Sequence, residues 1–573
     1  MLLEPVGGGS STQASNNISN PDPVTVAHKV LSTGGGGFLG IGKDYDSRVA
    51  TLANELSQGD ASYREAVMKE IFKEDPNALQ WLTPARANAS QQNGRISNEG
   101  DIAESLAAAY NHGDLPQQTF YEGQAPYTAQ NAYAKGTALD QIVHGFSGPG
   151  GLQGQATSAQ NVRDFLDFMD SSRGPEATQF RINFANHLLG TYVASPGASA
   201  VQYNHPDQQS VAASVAANLL SEASVQNPNA ATSVLSQYKD QIPTILQAAE
   251  NGGNWMTLNN VTVNSDGRIL NSVHVDSGVP QLIDAVAQSP GSTTNDAVAV
   301  AFAKLPATTP GLFKSPNADA QQNTTNLGQL FTAHFQGIMT AFTNYDPTNV
   351  GVKNGLPVHQ YMENTAELGS LLNVTAFNPN SPWAFDVKTM LINYAGSLKA
   401  QLNNPHLSGP AQTKATDQLA MVSAAADDAL AQRYNDIQAQ TQATKDTVTF
   451  IANLALAGLP VGDMAKDKVA GLISDAFGDS SGRISKALTD VSKSLIGTGT
   501  DQLSSDAQAA LVTALGPNTA QFLTQETATS SLTKSFTAGL NINASGLQAL
   551  TGSLEDGIAI ARGQAAGGAL QGG

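Results

Sequence analysis

Hydrophobic residues recur at intervals of three and four along most of the chain, which is the spacing of one face of an α-helix. Val49, Leu52 and Leu56 follow this spacing, and Asp60 stands where its side chain can cap the next helix. Similar short stretches succeed one another, separated by brief polar turns. The pattern therefore predicts a mainly α-helical protein, built from several helical bundles or stacked helical hairpins.

One segment, residues 258–275, departs from the helical spacing. Val261 and Val263 alternate with polar residues, the pair Asp266-Gly267 follows, and the alternation then resumes. Alternation on both sides of an Asp-Gly pair is typical of two antiparallel strands joined by a tight turn. We therefore expect one small β-hairpin on the helical body.

Changes in composition divide the chain into six predicted parts. Glycine, serine, asparagine and proline dominate the two ends, which we expect to be disordered. The parts are an N-terminal tail with an export signal (1–46), helical units (47–145, 157–252 and 253–430), a C-terminal helical region with an apolar hairpin (431–562) and a C-terminal tail (563–573).

Two long helices are predicted in the second half of the chain. One runs from Asn326 to Phe342, because the large apolar residues of this stretch share a face. The other covers residues 411–446, where alanine and glutamine are frequent and large apolar residues are sparse. We expect this second helix to be exposed or packed on a partner.

The strongest local feature is the uncharged stretch Thr447–Gly462, whose large apolar residues surround the predicted helix on every side. They are Phe450, Ile451, Leu454, Leu456, Leu459 and Val461. A helix that is apolar all round must be covered by protein or lipid. At about 24 Å it is shorter than a bilayer core of about 30 Å. Gly458, Pro460 and Gly462 form a predicted hinge. Two interpretations stay open: the central helix of a bundle, or a hairpin that inserts into a membrane or docks on a partner protein.

The charge balance excludes one class of ligand. Lys and Arg number 29 against 48 Asp and Glu, which gives a net charge of −19, and no run of cations occurs. Nucleic-acid binding needs clustered cations, so we expect no nucleic-acid partner. The chain contains no cysteine, which removes disulfides, thiolate metal sites and cysteine nucleophiles.

Two glycine-rich motifs resemble known catalytic loops and depart from them. Gly37–Asp44 resembles a phosphate-binding loop, but Asp44 stands where a hydroxyl must bind magnesium. Gly145–Pro149 resembles the turn that carries a nucleophilic serine, but Pro149 replaces the second glycine. We interpret both stretches as linkers.

Histidines and carboxylates give no strong signature either. His359 and Glu363 share a helix face but are only two ligands, and the nine histidines are scattered. Asp164, Asp167 and Asp170 are best explained as the solvated face of a helix. We predict no catalytic residue, no metal site and no cofactor; among the histidines, His187 is the first candidate for burial.

In composition and sequence pattern the chain resembles a family of exported bacterial proteins. The tail SSTQASNNISN, the absence of cysteine and the segment TFIANLALAGLPVGDMAKDKVAGLISDAFGD carry the resemblance. They resemble harpin-like and translocator-type substrates of the type III secretion machines of Gram-negative bacteria. The resemblance implies a virulence effector that is cytoplasmic before export, and a secretion chaperone that binds the N-terminal tail. Glu4 lies where a cationic region is required, so we expect no conventional signal peptide.

Three functions are compatible with these features of the sequence. The first is a secreted interaction protein, a type III helper or effector, that contacts membranes or host proteins through the C-terminal apolar hairpin. The second is an enzymatic toxin with a helical active site, which a polar pocket around His187, His334 or His359 beside a carboxylate would favour. The third is a structural component of a phage particle, which would share the cysteine-free, alanine-rich composition.

Overall fold

The structure is a computed structural model, and it describes a large part of the chain. The residues outside the ranges given next include the C-terminal tail, most of the predicted N-terminal tail and both glycine-rich motifs. Within the predicted tail 1–46, Pro23–Ser32 is a helix with Val26, Ala27 and Val30 buried, so the expectation of disorder is wrong for this stretch. The described residues are 20–33, 45–75, 78, 99–114, 117–120, 134–137, 152–194, 208–263, 268–314, 317–343, 358–461, 464–479, 481–491, 494–497, 502–515 and 525–540.

The described chain is mainly helical, as the spacing of apolar residues predicts. It divides into two compact units, one made of Met1–Asn183 with Met256–Val275 and one made of Phe184–Trp255 with Asp276–Gly573. The finer division into six parts stays a prediction.

The first unit begins with helices whose faces follow the predicted spacing. Val49, Leu52 and Leu56 are buried, and the side chain of Asp60 accepts a hydrogen bond from the amide of Tyr63, which caps α3. The helices are α1 (Pro23–Ser32), α2 (Tyr45–Leu56), α3 (Ala61–Glu74), α4 (Glu99–Asn111), α5 (Leu152–Asp170) and α6 (Pro175–Leu188), the last of which crosses into the second unit.

Two pairs of short strands also belong to the first unit. Strand β1 (Gln117–Phe120) pairs with β2 (Ala134–Thr137), and β3 (Leu258–Val263) pairs with β4 (Arg268–Val273), both antiparallel. In the second pair Leu258 lies opposite Val273. The residues expected to form the turn of the hairpin, 264–267, lie outside the described part of the chain.

The second unit contains most of the helices. Those before residue 344 are α7 (Gln208–Gln226), α8 (Ala230–Leu235), α9 (Ile242–Trp255), α10 (Val279–Ala287), α11 (Thr293–Ala303), α12 (Leu305–Thr308), α13 (Ala320–Ala333) and α14 (Phe335–Thr343). Those after it are α15 (Val358–Thr375), α16 (Ala384–Leu402), α17 (Gly409–Gln438), α18 (Thr441–Leu456), α19 (Lys466–Ala476), α20 (Arg483–Thr489), α21 (Ser505–Leu515) and α22 (Gln525–Thr537).

The predicted single helix from Asn326 to Phe342 is wrong, because the helix breaks at His334. The backbone of His334 has φ −108° and ψ 21°, outside the helical range, and a second helix starts at the next residue. The two ring nitrogens of His334 lie within hydrogen-bond distance of Asp296 Oδ1 and of the carbonyl of Val286. These tertiary contacts hold the ring in place, and the repeat of apolar residues continues across the break.

The predicted helix over 411–446 differs from the structure in two ways. It ends at Gln438, and α18 starts at Thr441 after Gln440, whose backbone is extended. Its centre is also buried, with Ala424, Ala425 and Ala426 fully covered. Small side chains let neighbouring helices approach closely, so an alanine-rich helix can be a core helix; the expectation of an exposed helix is wrong here.

Candidate functional site

The first ten residues of the uncharged segment, Thr447–Leu456, form the second half of α18. Helix α18 ends at Leu456, and a turn carries the chain through Leu459 to Val461. All six apolar residues singled out in the sequence are at most 8 % exposed: Phe450, Ile451, Leu454, Leu456, Leu459 and Val461. Five helices of the same unit pack around α18, namely α16, α17, α19, α21 and α22. The chain itself therefore provides the cover that an apolar helix requires.

The polar group in the middle of this segment has a partner. The side-chain oxygen of Asn453 accepts a hydrogen bond of 2.8 Å from the backbone amide of Leu503. Leu503 pairs with Ile496 in an isolated β-bridge that leads into α21. A buried amide without a partner would cost about 1–3 kcal/mol, so this bond fixes the segment against the chain that follows it.

An aromatic stack covers the beginning of the segment. The ring of Phe450 lies edge-on to the ring of Phe377, with 5.7 Å between centroids and an angle of 82°. On Phe377 lies the ammonium group of Lys388, 5.6 Å from the ring centroid. Such edge-to-face and cation–π contacts contribute about 0.5–1.5 kcal/mol each beyond the area they bury.

The C-terminal end of α18 is held by a second lysine, Lys399 of α16. Its Nζ donates to the carbonyl oxygens of Leu454 (3.1 Å), Ala455 (3.0 Å) and Ser535 (3.3 Å). The last four carbonyls of a helix have no partner within the helix, and the C-terminus of a helix attracts a cation. Lys399 thus caps α18 and also ties it to α22, which contains Ser535.

Both lysines have shifted pKa values because both are buried. Burial lowers the pKa of Lys399 to about 7. Burial also lowers the pKa of Lys388 to about 8, against the opposing effect of the Asp446 carboxylate. An ammonium group in such a place has lost most of its hydration, which disfavours the charged form. The cover of the segment therefore depends on the protonation of two side chains of α16.

A glycine pair brings α16 and the end of α18 into direct backbone contact. Gly458 has φ +73°, and a Cβ atom at this position would lie 2.2 Å from the carbonyl oxygen of Gly396. Only glycine combines that conformation with that approach. Of the other predicted hinge residues, Pro460 is exposed, whereas Gly462 lies outside the described residues. The left-handed Gly458 is therefore the point where the apolar segment turns away from α18.

Comparison of the chain with known protein families, with curated proteins and with solved structures finds no match in any of the three. Among the helices that the structure describes, none combines the length and the apolar character that a membrane crossing requires. Within the same residues, no three histidine or carboxylate side chains gather as a group that could hold a metal ion.

The three aspartates of α5 do not form one solvated face. Asp167 and Asp170 are exposed and lie about 4 Å from Arg163 and Arg173 respectively. Asp164 is 7 % exposed, and its carboxylate accepts a hydrogen bond from the amide of Gln160. The expectation of a solvated face is thus wrong at Asp164. An acid and base pair would need the carboxylates to face a common substrate, and these contacts give no such arrangement.

The histidines are placed differently from the sequence expectation. His187 is only half-buried, beside the ring of Phe184, whereas His334 is 2 % exposed. His334 lies next to a carboxylate and a hydroxyl, since Nδ1 is 2.8 Å from Asp296 Oδ1 and Nε2 is 3.5 Å from Ser289 Oγ. The side chains of His359 and Glu363 lie outside the described residues.

The set of Ser289, His334 and Asp296 has the residue types of a hydrolytic triad and its histidine–aspartate contact, but not a short serine–histidine hydrogen bond. The hydroxyl of Ser289 donates to the carbonyl of Val286 at 2.8 Å, and Nε2 of His334 lies 3.1 Å from the same carbonyl. A general base must reach the nucleophile within about 2.6–3.2 Å. Ser289 is also 5 % exposed. In this arrangement the three side chains secure the end of α10 and the break between α13 and α14.

The two lysines of α16 are residues of this candidate site that no sequence motif singles out. A signal for them exists in the spacing. Lys388 and Lys399 fall on the stripe that also contains Leu391, Ala395 and Leu402, so a helix places both charges on its apolar face. A lysine on such a stripe either extends its amine to water or needs buried acceptors.

Proposed function

We propose that the protein is a secreted bacterial interaction protein, of the type III helper or effector kind, and that α18 is its membrane-contacting element. The supporting observation is that the six large apolar side chains of the uncharged segment are buried against helices of its own chain. In this proposal the state with the apolar segment buried is the form present in aqueous solution. Opening of the C-terminal helices then presents Phe450, Ile451, Leu454 and Leu456 to a lipid surface.

The energetics of the segment favour lipid over water once it is uncovered. Each large apolar side chain gains about 1.5–3 kcal/mol on leaving water, so four of them supply several kcal/mol of binding free energy. A helix of this length cannot cross a bilayer core of about 30 Å. It can lie in the interface between headgroups and acyl chains, with apolar side chains inserted about 5–10 Å.

Two polar contacts, one in the middle of the segment and one at the end of α18, add to the apolar packing that keeps the segment covered. Lys399 holds the last carbonyls of α18, and Asn453 holds the chain before α21. When the C-terminal helices separate, the ammonium of Lys399 regains its hydration, which repays part of the loss of packing. A charged Lys399 therefore lowers the free-energy difference between the covered state and the open state.

The net charge of −19 determines which lipid headgroups we expect the protein to contact. A strongly anionic protein is repelled by an anionic lipid surface at low ionic strength. We therefore propose contact with zwitterionic lipid, and we keep the first 46 residues as the export signal to which a secretion chaperone binds. If the test below excludes a lipid surface, a host protein that covers the same segment is the alternative partner.

The direct test is release of an entrapped dye from phosphatidylcholine vesicles by the full chain. We expect release by the wild type within the range pH 4–8. A disulfide between α16 and the end of α18 should stop it. A Cβ atom at Gly396 would lie 3.3 Å from the Cβ of Ala457, close to the separation of about 3.5–4.5 Å found in disulfides. The variant Gly396→Cys/Ala457→Cys can therefore lock the cover.

The same variant in its reduced form is the matched control. The natural chain has no cysteine, so dithiothreitol acts on the engineered bond alone. We expect the oxidised variant to be inactive and the reduced variant to regain most of the release. If the wild type releases no dye at any pH from 4 to 8, the membrane role is wrong. If the oxidised variant is as active as the reduced one, α18 is not the element that contacts lipid.

A further inference from the structure

A second polar centre of the protein lies away from α18, where α9, the residues before α10 and the start of α13 meet. Glu250 of α9 is 6 % exposed and Ser277 is 4 % exposed. The two segments are in backbone contact, since a Cβ at Gly253 would lie 2.7 Å from Cα of Ser277. Gly278, with φ +74°, provides the turn that starts α10. Because the approach is so close, the Glu250 carboxylate is largely removed from bulk water.

The carboxylate of Glu250 is poorly satisfied for so buried a group. Oε2 accepts no hydrogen bond, and Oε1 has one long contact of 3.4 Å from the amide of Asn254. Burial raises the pKa of Glu250, and the charge of the Asp319 carboxylate raises this pKa further, whereas hydrogen bonding by the side chains of Ser277, Asn254 and Asn317 lowers it. The two carboxylates are therefore close enough to repel each other, with these polar side chains near them.

The other polar groups near these carboxylates are the side-chain oxygens of Ser277 and Asn317, which lie just before α10 and α13. Ser277 Oγ donates to Asp319 Oδ2 at 3.1 Å, and Asn317 Oδ1 accepts from the backbone amide of Asp319 at 2.7 Å. The carboxylate of Asp319 makes no capping bond at the start of α13, although Asp319 is the N-cap residue. The Asp319 carboxylate therefore faces Ser277 and not the first turn of its own helix.

From this geometry we propose that Glu250 and Asp319 bind a divalent cation, Ca²⁺ in preference to Mg²⁺, with Ser277 and Asn317 as neutral oxygen ligands. A cation offers the partner that Glu250 Oε2 lacks and cancels the repulsion between the two carboxylates. Calcium accepts six to eight oxygens in irregular geometry, whereas magnesium demands an octahedron. Two carboxylates, and not three or more, place the site in the weak class, with a dissociation constant of about 10⁻⁴–10⁻³ M.

Calorimetric titration and thermal unfolding of the full chain test this proposal. We expect CaCl₂ to bind the wild type with that affinity and to raise its melting temperature, with MgCl₂ at least tenfold weaker. Glu250→Gln and Asp319→Asn should each weaken Ca²⁺ binding at least tenfold. Asp284→Asn, which changes a carboxylate of the neighbouring α10, should leave binding unchanged and is the matched control.

The melting temperatures measured without calcium distinguish a cation site from two carboxylates, Glu250 and Asp319, that share a proton. Glu250→Gln removes the unpaired charge, so we expect the variant to fold with a melting temperature at least equal to that of the wild type when calcium is absent. If the wild type shows neither heat nor a thermal shift up to 10 mM Ca²⁺ (about ten times the upper end of the weak range), the proposal is wrong. Binding that survives in both Glu250→Gln and Asp319→Asn would also overturn it. Neither result bears on the membrane role of α18.

Discussion

Replacing Leu454 by aspartate should destabilise the second unit by at least about 5 kcal/mol, the largest effect of any single change considered. Leu454 is fully buried in the centre of the apolar segment. Removal of a buried leucine side chain costs about 2–5 kcal/mol, and an unpaired buried carboxylate adds several more. Urea unfolding followed by circular dichroism should show an early transition in the variant that the wild type lacks.

Phe385→Asp is the matched control for this experiment, because Phe385 lies on a helix that packs against α18 and is 70 % exposed. A surface substitution of this kind changes the free energy of unfolding by about 0.5 kcal/mol or less. Equal effects of the two substitutions would show that the apolar segment is not the core of the bundle. An effect confined to Leu454→Asp supports the cover that the structure assigns to α18.

The second large effect is expected for Lys399→Ala, and it should depend on pH. At pH 9 the wild-type amine is largely neutral and still donates to the end of α18. Its removal leaves the carbonyls of Leu454, Ala455 and Ser535 without this donor and opens a cavity, at a cost of about 3 kcal/mol or more. At pH 7 the loss should be smaller, because the variant also escapes the penalty of burying a charged lysine.

The sign of this dependence follows from the two pKa values. The ordinary pKa of the lysine is 10.5, and burial lowers it to about 7 in the folded protein. Between these values the unfolded chain binds more protons, so the stability of the wild type rises with pH in that window. The contribution amounts to about 1.4 kcal/mol per pH unit and does not change further below about pH 7.

Denaturant unfolding of wild type and Lys399→Ala at pH 7, 8 and 9 measures the difference. We expect the destabilisation by the substitution to grow by about 2–3 kcal/mol from pH 7 to pH 9. Lys468→Ala, at an exposed lysine of α19, is the control and should show no such growth. A difference between wild type and Lys399→Ala that is constant with pH would contradict the assignment of Lys399 as a buried, shifted group.

The helical class and the burial of individual faces could be predicted because they depend on local spacing. Val49, Leu52 and Leu56 show this, as does the cap at Asp60. The break at His334 could not be predicted, because its partners Asp296 and the carbonyl of Val286 lie 38 and 48 residues away in the sequence. The repeat of apolar residues is the same on both sides of that break.

Only the apolar residues of the candidate site could be predicted from the sequence. The sequence alone shows that Thr447–Gly462 needs a cover, since no charge interrupts it. It cannot show what the cover is. Lys399 meets Leu454 across 55 residues and Ser535 across 136, and such contacts depend on how the helices pack. The close approach of Gly396 and Gly458 is a tertiary feature of the same kind.

Hydrogen exchange of the backbone amides of residues 447–456, measured by mass spectrometry with and without phosphatidylcholine vesicles, tests the central claim most directly. In buffer at pH 7 we expect these amides to exchange as slowly as those in the rest of the buried core, because they open only with the whole bundle. With vesicles, the covering helices α16 and α22 should lose protection while 447–456 stay protected in lipid. Exchange of 447–456 within seconds in buffer would contradict the buried segment, and an exchange pattern that vesicles leave unchanged would contradict its release.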